Sequence, residues 1–151
     1  MTDNISIKTL RNLAQKLPEK IPYLKMLVLF GSRARGDIHK KSDWDFAALY
    51  HQEKRKKHCQ ENPFNYFEVG DILGDIFELN SVQIDVVDLN NCSLKISDRV
   101  ATDGQLIYER EKGLFHKFQQ KSLLTDQEKK AMRQKLKQDI NDFLQEWRVI
   151  T

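Results

Sequence analysis

The sequence predicts an α/β fold, in which helices flank a small mixed β-sheet and a long helix ends the chain. Short apolar runs of strand length alternate with segments whose apolar residues recur at helical spacing. Hydrophobic residues make up 40% and charged residues 31% of the 151 residues, which is typical of a globular protein with a sizeable core. A chain of this length corresponds to about one domain, so we expect a single domain over residues 1–151.

The first half of the chain combines two strand patterns with two helical ones. Both strand patterns are short apolar runs, and the first ends at Gly31, as a buried strand does before a tight turn. Polar residues without a period follow the second strand and predict a loop or a loose hairpin. The predicted elements are a helix over 5–17 that ends at Pro18, strands over 24–30 and 43–50, the loop over 51–60, and a helix over 63–79.

The second half carries a β-branched strand and a long amphipathic helix. We predict a strand over 82–89, a short helix over 94–103 and a short strand over 105–109. Thr125 and Glu128 form a capping-box pattern at the start of the last helix, which spans 125–148. We expect one apolar face of this helix to pack in the core, with docking of a partner as the alternative for its far end at Phe143 and Trp147. That face consists of Met132, Leu136, Ile140, Phe143, Leu144 and Trp147.

Composition excludes several classes of protein. The 25 Lys and Arg residues against 22 Asp and Glu give a net charge of +3, which is too mild to indicate direct nucleic-acid binding. The two cysteines, Cys59 and Cys92, form no metal-binding motif, which argues against a disulfide framework or a zinc site and favours a cytoplasmic location. The N-terminus has no apolar stretch of signal-peptide length, and about 18 apolar residues never run together, so we expect no membrane span.

Three acidic residues stand on two of the predicted strands. Asp43 and Asp45 lie two apart, so their side chains point to one face about 6.6 Å apart along the strand, while Trp44 faces the opposite layer. Asp85 lies between two apolar residues of its strand, and a neighbouring position in the sheet brings it beside the first pair. Three crowded carboxylates stay ionised together only beside a divalent cation, and oxygen ligands favour Mg²⁺ or Mn²⁺. Asp88 is the rival acid, but it falls on the opposite face.

The turn at Gly31 and Ser32 predicts a phosphate-binding site. Glycine allows close approach of an anion to the backbone, and a helical turn that begins at Ser32 points free N–H groups at phosphate oxygens. Arg33 and Arg35 follow this turn and are candidate contacts for a triphosphate or an acidic partner, with ordinary exposed arginines as the alternative. The P-loop spacing and the GxGxxG pattern are both absent, which argues against P-loop and Rossmann nucleotide sites.

A phosphate-binding turn beside three carboxylates indicates metal-assisted nucleotidyl transfer. In two-metal chemistry, one ion activates the attacking hydroxyl and the other stabilises the leaving pyrophosphate. By their placement, Asp43 and Asp45 would ligate both ions, and Asp85 would ligate the ion at the nucleophile and accept its proton. We interpret the basic run at 54–57 as a solvated loop, with contact to RNA or a partner as the alternative.

These residues resemble a known family. Gly31-Ser32, a gap of ten residues, the Asp43-Trp44-Asp45 string and Asp85 downstream resemble the polymerase-β-type nucleotidyltransferase superfamily, over about residues 24–109. The short chain resembles its minimal branch, the MNT proteins, and within it the antitoxins of HEPN/MNT toxin–antitoxin pairs. The resemblance implies the minimal nucleotidyltransferase fold and transfer of AMP from ATP onto a tyrosine of a partner HEPN ribonuclease, which silences it. The acceptor is implied by the resemblance alone.

Two other functions stay open at this point. Nucleotidyl transfer to a small-molecule hydroxyl, as in aminoglycoside-modifying enzymes, uses the same acids, but those enzymes usually carry an extra helical domain for which this chain has no room. A non-catalytic antitoxin that blocks its partner by steric cover needs none of the acids. Nucleotide turnover separates the last function from the first two.

Overall fold

The computed structural model describes residues 5–37 and 43–150, and it contains a four-stranded sheet with helices on both faces. The strands are β1 (Leu24–Phe30), β2 (Trp44–Tyr50), β3 (Ile84–Asp88) and β4 (Gln105–Glu109). The strand order is β3-β2-β1-β4. β1 pairs antiparallel with β2 and β4, while β2 and β3 are parallel. The predicted α/β fold with a mixed sheet is therefore confirmed.

Eight α-helices lie within the described residues, joined in three places by 3₁₀ turns at Ala14–Lys16, Pro63–Phe67 and Ser81–Gln83. The helices are α1 (Ile7–Leu13), α2 (Leu17–Lys20), α3 (Ser32–Arg35), α4 (Gln52–Gln60), α5 (Glu68–Phe77), α6 (Leu94–Asp103), α7 (Leu114–Ser122) and α8 (Asp126–Ile150).

The two faces of the sheet bury two separate apolar clusters. On one face, α1 and α5 cover sheet side chains such as Trp44 and Phe46, and Phe77 of α5 stacks on Phe46. On the other face, α6 and α7 cover Val28 and Ala47 among others. Because side chains alternate along β2, Trp44 and Asp45 belong to opposite layers, as predicted. The acids on Asp45's face therefore share their layer with α6.

Strand β1 and helix α6 have the predicted bounds, whereas several other boundaries differ. Pro18 does not end the helical region, because it occupies the first turn of α2, where its missing N–H is not needed. The third strand begins at Ile84 and not at Val82, since Val82 lies in a 3₁₀ turn and is 86% exposed. The segment predicted as one helix over 63–79 is a 3₁₀ turn followed by α5.

The prediction of a loop over 51–60 is wrong, because this segment forms α4. The His51 ring accepts a hydrogen bond from the Lys54 N–H and caps the helix. Arg55 anchors the helix by stacking over the Tyr50 ring and donating to Asp88 at 3.1 Å. The helix buries only Cys59 fully, so its sequence shows no apolar period from which a helix could be predicted.

The expectation that the apolar face of α8 packs in the core is also wrong. The capping box is confirmed, because Thr125 Oγ1 accepts from the Glu128 N–H and Glu128 Oε1 accepts from the Thr125 N–H. Beyond its first turns, however, the apolar face is open to solvent, with Leu136 60% and Trp147 58% exposed. No helix in the part of the chain that the structure describes is long and apolar enough to cross a membrane.

Candidate active site

The register of the sheet places two of the predicted acids side by side. Asp45 of β2 pairs with Asp85 of the parallel strand β3, and Phe30 of β1 pairs with Asp45 on its other side. Paired residues on neighbouring strands point to the same face, with backbones about 4.8 Å apart. Asp43 comes one residue before β2 and is exposed, as is Asp85. This register places Asp45 beside Asp85, as the sequence predicts, while the joint role of all three acids stays a prediction.

The electrostatics of Asp45 reflect this crowding. Burial raises the pKa of the Asp45 carboxyl above its ordinary value, and the nearby charges of Asp85 and Asp43 raise that pKa further. The guanidinium of Arg35 acts in the opposite direction. Ionised Asp45 therefore costs the folded protein free energy, which is the condition under which a bound cation is stabilising.

The backbone of Gly31 lies directly against the Asp45 carboxylate. Its φ of +77° and ψ of −157° belong to a region that only glycine adopts freely. A Cβ at this position would overlap Oδ2 of Asp45, so the carboxylate lies directly against the glycine backbone. The turn and the central acid thus form one compact unit, and any side chain at residue 31 would displace the Asp45 carboxylate.

Ser32 begins α3 as predicted. The Gly31 carbonyl accepts from the N–H groups of Ala34 and Arg35 at 3.2 and 3.1 Å, which holds the single helical turn in place. The first N–H groups of a helix have no acceptor within the helix, so the start of α3 can offer backbone donors to a ligand. This geometry suits an anion beside the Asp45 carboxylate.

Arg33 and Arg35 point to different sides of the turn. Arg33 is only 5% exposed, and its guanidinium carbon lies 4.1 Å from the centre of the Trp44 ring, in the layer opposite Asp45. Arg33 therefore packs on Trp44, and its contact with a nucleotide stays a prediction. Arg35 is exposed, pairs with Asp37 at 3.2 Å and Asp103 at 3.6 Å, and acts on Asp45 as described. Arg35 therefore stays a candidate for contact with a phosphate.

Asp103 was missed by the sequence analysis. It ends α6, and the following strand begins opposite Leu29, next to the turn. The Arg35–Asp103 pair therefore links α6 to the site. Nothing in the local sequence marks this residue, because its role depends on the return of α6 to the same end of the sheet.

The residues fit a hard divalent cation by donor type and charge. The donors are carboxylates, which Mg²⁺ and Mn²⁺ prefer. Among the described residues, no three acidic, histidine or cysteine side chains lie close enough to form a finished metal cluster. The observation that points to a cation here is the pairing of Asp45 with Asp85, because two adjacent carboxylates repel each other unless a cation neutralises them.

The other candidate residues lie away from the acidic site. Asp88 accepts hydrogen bonds from Arg55 and from the Asn90 N–H at 2.9 Å, so it organises the far end of β3. The basic run at 54–57 lies on α4 near that end, with Arg55 committed to Asp88 and Tyr50. Both free thiols, Cys59 and Cys92, also lie outside the acidic site.

The mixed sheet, the glycine turn and the paired acids define a nucleotidyltransferase domain. Residues 9–113 match the family described as polymerase beta, nucleotidyltransferase, and the chain belongs to this family.

A curated relative and a solved structure are similar to this chain over most of its length. The chain is 50% identical over 150 residues to a protein named protein adenylyltransferase MntA from Aphanizomenon flos-aquae (strain 2012/KM1/D3), covering 99% of this chain and all of the relative. It is also similar to a crystal structure of a toxin–antitoxin with AMP-PNP, with 26% identity and a TM-score of 0.62 over 86% of this chain and 97% of that chain.

A third similarity concerns the fold. The complex of a tri-AMPylated Shewanella oneidensis HEPN toxin with an MNT antitoxin contains a chain that is 23% identical to this one. The TM-score is 0.59, over 89% of this chain and 98% of that chain. This similarity confirms the minimal nucleotidyltransferase fold, including the arrangement of helices around the mixed sheet.

Proposed function

We propose that this chain is an antitoxin that transfers AMP from ATP to a tyrosine of a cognate HEPN ribonuclease toxin and thereby inactivates it. The relative that is 50% identical over nearly the whole chain is named as a protein adenylyltransferase. The similar toxin–antitoxin structure at 26% identity contains AMP-PNP, an analogue of ATP, which supports ATP as the substrate.

The observation that carries the proposal is the pairing of Asp45 with Asp85 against the backbone of Gly31. A purely steric antitoxin gains nothing from two carboxylates held side by side, because their charges repel each other. Catalysis explains this arrangement. The negative charge that destabilises the free site would bind a cation, and the cation would in turn bind the triphosphate.

Asp43, Asp45 and Asp85 are the residues that would hold the metal. We assign Mg²⁺ in two positions, with Mn²⁺ as a substitute, because all the donors are oxygens. When bound, the ions supply charge neutralisation for the triphosphate and lower the pKa of the attacking hydroxyl.

The protein's own groups bind, orient and deprotonate. The N–H groups at the start of α3, the Ser32 hydroxyl and Arg35 bind phosphate oxygens, while Gly31 keeps the approach open. The tyrosine oxygen attacks the α-phosphorus of ATP, a new P–O bond forms, and the bond to the bridging oxygen breaks so that pyrophosphate leaves. The tyrosine proton passes to the Asp85 carboxylate, which is exposed and therefore accessible to an acceptor on another protein.

A single domain is sufficient for this reaction. A protein acceptor brings its own binding surface and positions its hydroxyl at the exposed acids, so no separate substrate domain is required. The same point ranks a small-molecule acceptor second, because such a molecule needs an enclosing pocket. We place the reaction in the cytoplasm, where ATP is available and where free thiols such as Cys59 and Cys92 stay reduced.

The test compares wild type with the double variant Asp43→Asn, Asp45→Asn, using labelled ATP, Mg²⁺ and the cognate HEPN toxin. We expect the variant to fold and to transfer no label, because removal of two ligands costs several kcal/mol of transition-state stabilisation. Its free energy of unfolding should equal or exceed that of wild type, since two repelling charges are gone. Label transfer at the wild-type rate would contradict the metal assignment.

A further inference from the structure

An open groove between α6 and α8 runs toward the active site. It encloses about 770 Å³ and follows the whole of α6, from Leu94 to Asp103. Asp103 ends the groove and pairs with Arg35, whose charge acts on Asp45. The groove lies on the sheet face to which the Asp45 side chain points, because α6 covers that face. We call it the α6–α8 groove.

Each wall of the α6–α8 groove carries an exposed apolar side chain. Leu94 on α6 is 66% exposed and Leu136 on α8 is 60% exposed, and Met132 also lines the groove. The apolar face of α8 continues beyond the groove to Trp147. From Met132 to Trp147 this face is about 22 Å long, at about 1.5 Å per residue. Single exposed apolar residues are ordinary on protein surfaces, whereas a continuous apolar face of this length is typical of a surface that binds a partner.

The rim of the groove is basic. Lys129 is paired with Asp98 at 3.5 Å. The four other basic residues of the groove make no ion pair with any described side chain, and only one groove acid, Asp139, is likewise unpaired. These four cations are Lys95, Arg99, Arg133 and Lys135. The groove therefore complements an acidic segment with one apolar face.

We propose that the α6–α8 groove binds an acidic amphipathic helix of the protein that accepts AMP, and so presents the acceptor hydroxyl to Asp85. Two helical walls that carry exposed apolar side chains accommodate a third helix, whose apolar residues at i, i+3, i+4 and i+7 contact those side chains. Its acidic residues reach the basic rim. This inference rests on the proposed function, because it names where the same acceptor docks.

Two other occupants fit the groove less well. RNA would use the basic rim but has no use for the exposed apolar face of α8. A second copy of this chain, paired about a two-fold axis, would bring the same basic rims together, which is repulsive. The combination of exposed apolar side chains with a basic rim favours an acidic protein helix.

The test uses two groove variants and two matched controls in the full chain. The groove variants are Leu94→Glu with Leu136→Glu, and Arg133→Glu with Lys135→Glu. The controls are Val82→Glu, which replaces an exposed apolar residue elsewhere, and Lys130→Glu with Lys137→Glu, which makes the same charge change on α8 outside the groove. None of the altered side chains belongs to the proposed catalytic site.

Two measurements are made on each variant with the cognate HEPN toxin. The first is the dissociation constant for the toxin without ATP, and the second is the rate of AMP transfer as toxin concentration rises. We expect both groove variants to raise the Kd and the KM for toxin at least about tenfold, as loss of a docking contact does. The kcat at saturating toxin and the affinity for ATP should stay at wild-type values, and the controls should match wild type throughout.

The outcomes separate this inference from the proposed function. Groove variants that bind and modify toxin as wild type does would overturn the groove assignment and leave the adenylyltransferase function standing. Wild type that binds toxin through the groove but transfers no AMP would support the docking surface and overturn the function. Weakened RNA binding or self-association in the groove variants, with toxin binding unchanged, would also overturn the groove assignment.

Discussion

Replacement of Gly31 by alanine tests whether the turn and the central acid form one unit. Two costs apply at this position. Alanine must adopt a φ of +77° with an extended ψ, which costs about 1–3 kcal/mol. Its Cβ must also displace Oδ2 of Asp45, and overpacking of this kind costs about 1–3 kcal/mol more. We therefore expect Gly31→Ala to lower the free energy of unfolding by about 2–6 kcal/mol.

Gly36 provides the matched control. It also has positive φ, at +88°, but a Cβ there would meet no atom within 4 Å. Gly36→Ala should therefore cost only the backbone component, about 1–2 kcal/mol. Urea denaturation followed by circular dichroism measures both variants on the same scale.

A double-mutant cycle with Asp45→Ala isolates the steric component. Without the carboxylate, the Cβ at residue 31 has room, so the cost of Gly31→Ala should fall by about 1–3 kcal/mol. Equal costs for the two glycines, together with an unchanged cost of Gly31→Ala in the Asp45→Ala background, would refute the close contact between the turn and the acid.

Three further predictions follow from the site and the far end of the sheet. Gly31→Val should weaken ATP binding more than Ser32→Ala, because the valine side chain fills the approach to the turn, whereas the alanine loses only one hydroxyl contact. Equal affinities of the two variants for ATP in calorimetric titration would show that the turn does not bind phosphate. Arg55→Ala should lower the free energy of unfolding by about 1–3 kcal/mol, with Lys56→Ala within about 0.5 kcal/mol of wild type, and similar effects would contradict the anchoring role of Arg55. Burial raises the pKa of Tyr50 to about 12, so the stability that this phenol contributes is present below its unfolded pKa of about 10 and is lost above it. Tyr50→Phe should therefore lose about 1 kcal/mol less than wild type between about pH 9 and pH 11, and parallel pH profiles would contradict this assignment.

Local pattern predicted the elements that are buried on both faces. β1 has the predicted bounds because it is a continuous apolar run in the centre of the sheet, closed by a glycine that the turn requires. The pairing of Asp45 with Asp85 also follows from alternation along two apolar strands. These features depend on which face a side chain must take, and that information lies within a few residues.

Elements that depend on distant contacts were not predictable in this way. α4 is polar all round and is held by Arg55, which reaches the end of another strand. The apolar face of α8 has the period of a core helix, and its exposure reflects the absence of a covering element among the described residues. α7 was not predicted at all, although it covers the face of the sheet beside α6. The packing of Arg33 on Trp44 likewise depends on which way a turn directs its side chains.

The central claim is that the toxin is silenced by covalent attachment of AMP. The most direct measurement is the mass and ribonuclease activity of the cognate HEPN toxin, after incubation with the wild-type protein, ATP and Mg²⁺ and after complete separation of the two proteins. We predict a mass increase equal to one or more AMP groups on tyrosine, with loss of activity that persists after separation. Toxin of unchanged mass that regains activity once the partner is removed would contradict the account and leave steric cover as the mechanism.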